Sequence, residues 1–382
     1  MLTRSGIGMA ATSALLMVLG WLADYPELVV LAFAGVATLA VAALWMLLRP
    51  NLAVVREIRP ERVTAGEPAF GVIRLTNEAK RRSPPILAEE AMAGQQVYVP
   101  IPSLGSGDTF TDRYPLLTGE RGIYQVGPLT IGHTDPLRLM RVGRAYSTYS
   151  TLHVHPRQRV VAPVPTGQTR DMDGPTSSFS PHGGIAFHSL REYVPGDDWR
   201  LIHWKSTARS GGLMVRHNVV PNQPRLVVVL DTSSLSYDGK AAFEYAVSAA
   251  ASLAVAAIRG GFPLELRTTS GGAITSERGG QAAPAALDLL AAAAMSPEDP
   301  GLTALPGMLA LDDSQALGVI TGQPEARMLR VLPAVRRHVL MISLVQFIGE
   351  FGVPTPAPPG VVSVVAHSLD EFAASWNNLV GT

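Results

Sequence analysis

The sequence predicts a membrane-anchored, multidomain chain: a two-helix transmembrane hairpin, an all-β sandwich-like domain, and an α/β domain with a mainly parallel sheet. Three observations predict it. Two apolar runs of membrane-spanning length open the chain. Short strands separated by Gly, Pro, Asn and Asp follow them. From Arg225 onward, strand and helix patterns alternate.

The anchor is expected over residues 5–48. Ser5 to Leu22 is apolar apart from Ser and Thr, and Leu28 to Leu48 is a second such run. Each is long enough to cross about 30 Å of hydrocarbon as a helix. Asp24-Tyr25-Pro26-Glu27 between them is a polar turn with a helix breaker. Trp21, Tyr25 and Trp45 fall near the span ends, where amphipathic rings sit. A cleaved signal peptide is the alternative. It fits less well, because the first run is long, no small-x-small site follows it, and a second span comes at once. Arg4 precedes the first span, while Arg49, Arg56, Arg59 and Arg62 follow the second, and the tip carries only acids. Lys and Arg stay on the cytoplasmic side, so the expectation is a two-pass protein of the cell membrane with both termini and the soluble domains in the cytoplasm.

Composition removes several function classes. The 382 residues carry a formal net charge of +0, so no nucleic-acid-binding surface is expected. There is no Cys, which excludes disulfides, thiolate catalysis and Cys-based zinc sites.

The β domain is expected over residues 49–160. Ala69–Leu75, Gln96–Ile101, Thr111–Leu116, Gly122–Val126, Leu129–Gly132 and Thr151–His155 read as its short strands. Residues 161–224 read as linker plus a charged motif, with Pro163 to Pro181 rich in Pro, Gly, Ser and Thr. In the α/β domain, 225–382, Leu226–Leu230 is an apolar strand of the kind buried on both faces, and an Ala-rich helix runs from about Lys240 to Arg259. Leu264–Thr268 and Ala273–Thr275 form a strand pair, and Ala282–Met295 reads as helix. Ala316–Ile320, Val339–Leu344 and Val361–Ala366 are further strands. Arg327–Arg337 and Leu369–Leu379 are further helices. In such sheets the functional edge lies at the carboxyl ends of the strands, and the first such end here is Asp231.

The most distinctive stretch is Gly184 to Arg209, which crowds charges and large aromatics around a Pro195-Gly196-Asp197 turn. Arg191, Arg200 and Arg209 are placed to pair with Glu192, Asp197 or Asp198. Two uses compete: an internal salt-bridge and packing motif, which the even pairing favours, and a partner-docking surface involving His203 and Trp204. A catalytic use of His203 with Asp197 or Asp198 is the third, without an identifiable nucleophile. His153-x-His155 lacks an acidic third ligand, and Asp238-Gly239-Lys240-Ala241 lacks the flanking residues of a phosphate loop.

This run, with Arg121-Gly122-Ile123-Tyr124-Gln125-Val126-Gly127-Pro128 and Asp135-Pro136-Leu137, closely resembles the domain-of-unknown-function 58 (DUF58) family. The shared residues include Leu190-Arg191, Tyr193, Gly196-Asp197, Arg200, Ile202, Trp204, Ala208-Arg209, Gly212-Leu213 and Val215. The departures are Arg138-Leu139 where Gly-Leu is usual, and Thr207 where Ser commonly precedes Ala-Arg. The resemblance implies that the region after Leu230 is a von Willebrand factor A-like, Rossmann-type domain. Such a domain can hold Mg²⁺ through a D-x-S-x-S pattern, a Thr and a further Asp. Asp231 and Ser233 match, and Thr303 is placed to be the Thr. Leu235 stands at the second Ser position, Ser236 is one residue out of register, and Gly322 follows Thr321 where an acid is usual. The expectation is therefore a degenerate site with poor or no Mg²⁺ binding, and no cofactor. The resemblance further implies a MoxR-type AAA+ ATPase as partner, and a transglutaminase-like membrane protein beside it. The reading is a non-enzymatic membrane-tethered scaffold or adaptor in assembly or maturation of protein complexes. The alternatives are a metal-dependent ligand-binding module and an enzyme built on His203.

Overall fold

The structure is a computed structural model that describes residues 2–46, 51–146, 149–165, 187–195, 199–218, 224–277, 282–310 and 313–381. The chain divides into two compact units, one of residues 1–157 with 290–292, the other of residues 158–289 and 293–382.

The first unit opens with two helices, α1 (Arg4–Leu22) and α2 (Pro26–Met46). At about 1.5 Å per residue they are some 28 and 32 Å long, and both are apolar enough to cross a membrane. They pack through small residues. Ser13 and Gly20 of α1 and Ala32 and Ala42 of α2 are buried, and a Cβ on Gly35 would overlap Ser13 Oγ. Small residues let two backbones approach where no water drives the association.

Among the described residues nine strands follow: β1 (Leu52–Arg59), β2 (Arg62–Thr64), β3 (Phe70–Asn77), β4 (Ile86–Met92), β5 (Gln95–Ile101), β6 (Thr109–Pro115), β7 (Gly122–Thr134), β8 (Arg141–Tyr146) and β9 (Ser150–His155). They form a three-stranded sheet, β1-β3-β6, and a larger one, β2-β9-β7-β4-β5, with β8 paired to β7. Residues 122–126 and 129–132, expected as two strands, are one: β7 runs through Gly127-Pro128, where its pairing with β4 shifts register. Alternate side chains point inward. Ile73, Leu75, Ala88, Met92, Val126, Leu129, Leu152 and Val154 lie in one core.

That core contains an ion pair. Arg56 Nε of β1 lies 2.9 Å from Glu90 Oε1 of β4, with both side chains only 1% exposed. Arg56 also donates to Val126 O at 2.9 Å, and Tyr114 of β6 donates to the other Glu90 oxygen. Burial pushes the Glu90 carboxyl up, and the Arg56 guanidinium pulls it back. Arg56, counted in the sequence among the charges flanking the anchor, is therefore a pin between the two sheets.

The second unit holds a hairpin of β10 (Phe187–Glu192) and β11 (Met214–Asn218), with the short helix α3 (Trp204–Ser210) between them. Its larger part is a six-stranded sheet of β12 (Arg225–Leu230), β13 (Leu264–Thr268), β14 (Ala273–Ser276), β15 (Gln315–Thr321), β16 (Met341–Phe347) and β17 (Val361–Ala366). The order is β14-β13-β12-β15-β16-β17, parallel except for the antiparallel edge strand β14. The order reverses between β12 and β15, which makes their carboxyl ends the switch point.

Alternate residues of the central strands face opposite layers. Val227, Val229, Leu317, Val319, Ile342 and Leu344 share a core with Leu302, Leu305, Leu329, Leu332 and Val335. The stretch 327–337, expected as one helix, is two: α5 (Ala326–Leu329) and α6 (Leu332–Arg336), the second with Pro333 in its first turn. Pro is tolerated there but not in a helix interior. The long helix α4 (Lys240–Arg259) is buried along most of its Ala-rich length. Phe347 of β16 and Phe372 and Trp376 of α7 (Leu369–Gly381) meet in a chain of tilted ring contacts that seats the helix on the sheet.

Residues 158–165, assigned by sequence partly to the linker, pack onto this unit. Trp376 Nε1 donates to Ala162 O at 2.8 Å, and Asn377 bonds Ala162 N and Val160 O. Val164 is 1% exposed and covers Gly318 of β15, where a Cβ would stand 3.0 Å from Val164 Cγ2. The linker reading fails here because Val and Pro supply apolar surface that a helix and a sheet can cover. The rest of Pro163 to Pro181 lies outside the described residues.

Candidate functional site

β12 is apolar on both faces because it is central and covered on both, so Asp231 immediately after it is a charge delivered to the end of a buried strand. Asp231 is fully buried. Its backbone N–H donates to Ile320 O of the neighbouring β15 at 2.8 Å. Its carboxylate accepts from Ser233 N at 3.0 Å and from the Thr321 hydroxyl at 2.7 Å. The Tyr237 hydroxyl donates to Asp231 O at 2.6 Å.

A second carboxylate lies beside it. Asp299, 6% exposed, accepts from the Thr232 hydroxyl at 2.5 Å, the Thr269 hydroxyl at 2.7 Å and Gly301 N at 2.8 Å. Gly301 has φ +61, and a Cβ there would stand 3.1 Å from Ser233 Cβ and 3.3 Å from Asp231 Oδ1. Glycine serves both the left-handed backbone and the close approach.

Burial raises the Asp231 carboxyl above its ordinary range, and the Asp299 charge adds to that. Hydrogen bonding from Ser236, Ser233 N–H and Thr321 opposes it. Tyr237 is pushed well above its ordinary range by burial, then by the charges of Asp231 and Asp299. The Ser233 and Ser236 hydroxyls are buried and lack a hydrogen-bond partner of good geometry. Two carboxylates and the Ser233 and Ser236 hydroxyls thus lie together in a buried region of low dielectric, an arrangement stabilised by one proton or one cation.

Of the residues the sequence assigned to this site, Asp231 and Ser233 come together. Thr303 stands apart from their hydrogen-bond network: it is exposed, and its hydroxyl donates to Pro300 O at 2.7 Å. Leu235 is 62% exposed, whereas Ser236, out of register by spacing, is fully buried. The reason is the single 3-10 turn at Ser234–Ser236, which rotates Ser236 inward where an extended chain would present residue 235. Gly322 carries no acid because none fits: a Cβ there would overlap Ser236 O. Sequence reasoning missed Thr232, Thr269, Thr321 and Asp299. Thr269 and Thr321 stand at strand carboxyl ends, so the strand-end rule reaches them. Asp299 sits in an irregular loop and carries no local signal. Among the described residues no three His, Cys, Asp or Glu side chains gather as a metal set.

The charged motif is a second candidate. His203 caps α3, its Nδ1 lying 2.8 Å from Ser206 Oγ and accepting from Ser206 N at 3.3 Å. Thr207, the departure from the usual Ser, accepts from Met214 N at 3.0 Å and ties α3 to β11. Gly211 ends the helix with φ 75, and Arg209 lies in the last turn, where a cation suits the helix dipole. Ile202 and Val215 are buried, but Trp199 and Trp204 are 79% and 68% exposed. Asp197 and Asp198 lie outside the described residues, as do the side chains of Arg191 and Arg200, and with them the expected Arg–Asp pairings.

Comparison with known proteins bears on this region. Residues 189–342 match the model of a family described as "Protein of unknown function DUF58". An uncharacterized protein, YeaD of Bacillus subtilis, is 27% identical over 154 residues, which is 40% of this chain and 37% of YeaD. The chain therefore matches little more than a third of that relative's length. Among solved structures, the CARDB domain of a Pyrococcus furiosus protein covers 28% of this chain and 91% of its own, at 17% identity and a TM-score of 0.21. The C-terminal domain of wzt covers 35% of this chain and 90% of its own, at 15% identity and a TM-score of 0.21. Scores of that size assign neither fold nor function. The family resemblance carried by the Leu190–Val215 motif is thus supported over a defined segment: residues 189–342 match the model of a family whose function is unknown.

Proposed function

We propose that the chain is a non-enzymatic adaptor of the cell membrane, two-pass, with both termini and the soluble domains in the cytoplasm. Its α/β part is von Willebrand factor A-like, and a MoxR-type AAA+ ATPase is its partner in assembly or maturation of protein complexes. A transglutaminase-like membrane protein is a further partner. One observation carries the reading. A buried aspartate followed by Ser233 stands at the switch point of a β14-β13-β12-β15-β16-β17 sheet with one antiparallel edge, and its carboxylate is held by internal hydrogen bonds. At a switch point such a group is placed to organise a binding face. The exposed rings of Trp199 and Trp204 support docking, since large aromatics dominate binding energy at protein interfaces. His203 Nδ1 is engaged in capping α3, which favours a structural role for that nitrogen over a catalytic one. Affinity purification of the full chain from solubilised membranes, followed by mass spectrometry, tests the reading. Enrichment of an AAA+ ATPase is expected, and its absence from chemically crosslinked preparations as well would refute it.

A second reading has its own observation. The Ser233 hydroxyl, buried without a hydrogen-bond partner, and the Ser236 hydroxyl, which faces Asp231, are oxygen donors of the kind a hard divalent cation accepts. In that reading Asp231, Ser233 and Ser236 hold Mg²⁺, which captures an acidic group of the partner. Calorimetric titration with Mg²⁺ separates the two. Heat that disappears in Ser233→Ala and Asp231→Asn favours the cation site, and no heat favours the metal-free adaptor.

A further inference from the structure

The start of the first apolar helix is stitched to the β7–β8 loop. Thr3 N donates to Leu139 O at 2.9 Å, and Thr3 Oγ1 donates to Arg138 O at 2.7 Å while capping α1 through Gly6 N at 3.0 Å. Leu2 and Met140 form an antiparallel bridge, and a Cβ on Gly6 would overlap Leu139 O. The loop is braced from behind. Asp135, 2% exposed, accepts from Leu137 N at 2.9 Å and Met140 N at 2.6 Å. The loop and the first turn of α1 are therefore held together at one level.

That level has a physical meaning if α1 spans a bilayer. A helix of 19 residues uses nearly its whole length to cross the hydrocarbon, so its first turn lies at the boundary with water. The loop must lie there too. Its composition suits the place. Leu137 is 58% exposed and Leu2 43%, with exposed Arg138 and Arg4 beside them. Among the described residues neither arginine makes an ion pair. Arg4 moreover stands in the first turn of a helix, the end at which a cation is disfavoured by the dipole. A phosphate beside it reverses that penalty, because guanidinium binds phosphate through paired hydrogen bonds.

We propose that the Pro136–Arg138 tip is a contact with the phospholipid surface. Leu137 enters the acyl boundary, and Arg138 and Arg4 take headgroup phosphates. The β unit is thereby held with this corner against the membrane. The inference rests on the reading of α1 and α2 as membrane-spanning.

The chain has no native Cys, so a single introduced thiol reports on one place. The full chain is reconstituted in vesicles of phosphatidylcholine and phosphatidylglycerol. A fluorophore is placed through Leu137→Cys in the loop, Val36→Cys midway along α2, or Gln96→Cys. Gln96 pairs with β4 at the end remote from the loop. Lipids carry a nitroxide quencher near the carbonyl end or near the methyl end of the acyl chain. Quenching of Val36→Cys by both lipids, and of Leu137→Cys mainly by the carbonyl-end lipid, is expected, with Gln96→Cys unquenched. Leu137→Cys behaving like Gln96→Cys while Val36→Cys is quenched overturns the contact and leaves the hairpin standing. An unquenched Val36→Cys overturns the hairpin reading and the contact with it.

Discussion

Asp231→Asn tests the electrostatics of the switch-point site. Asp231 is fully buried, Asp299 is its neighbour, and among the described residues neither forms an ion pair. Burial and then the Asp299 charge set its pKa above the ordinary 3.8. A carboxyl raised in the folded state stabilises most below the unfolded pKa, and that contribution is lost as pH rises through the folded value. At neutral pH the parent therefore either carries a strained charge or holds a proton at a cost. Asn keeps the shape. Its carbonyl still accepts from Ser233 N, and its amide donates to the Thr321 hydroxyl, which turns from donor to acceptor. A buried unpaired ion costs several kcal/mol, and the hydrogen bonds to it recover about 1.5–3 kcal/mol each, so a net gain of roughly 1–2 kcal/mol is expected from the amide. In a unit of this size each kcal/mol moves Tm by about 2–4 °C. Calorimetric melting of the solubilised full chain in chelator should show Asp231→Asn ahead of the parent at pH 8, with the gap closing toward pH 4. A variant that melts lower at pH 8 in chelator would refute the reasoning. A parent that gains stability only with Mg²⁺ would favour the cation site.

Three further perturbations follow. Glu90→Leu leaves Arg56 charged in the β core and should cost about 3–5 kcal/mol, whereas Arg56→Met with Glu90→Leu should melt near the parent; chemical denaturation distinguishes them. Arg138 has φ 59, so Arg138→Gly should be neutral or stabilising by up to about 1 kcal/mol, and a clear loss of Tm would contradict the strain argument. Gly318→Val should cost about 1–3 kcal/mol by driving Val164 off β15, and Val164→Ala should recover part of that in the same melt.

The apolar runs and the strand–helix alternation were legible because each is a long pattern written in consecutive residues. The Arg138 departure from Gly-Leu was legible too, and the positive φ there gives the reason Gly suits the position. What escaped depended on contacts distant in sequence. β4 reads poorly as a strand because Glu89 and Glu90 interrupt it, and Glu90 becomes intelligible only opposite Arg56 and Tyr114. Arg56 was read as a membrane-flanking charge because position along the chain says nothing of which face of β1 it occupies. Ser236 was set aside by counting along an extended chain, and a 3-10 turn changed the count. Asp299 lies 68 positions from Asp231, joined to it only by the fold.

Binding between the full chain in lipid nanodiscs and a purified MoxR-type ATPase of the same organism tests the central claim most directly. The account predicts saturable binding, weakened by about tenfold or more, some 1.4 kcal/mol, when Trp199→Ala and Trp204→Ala are combined without loss of Tm. Absence of binding in every nucleotide state, with a chain that melts cooperatively, would contradict it.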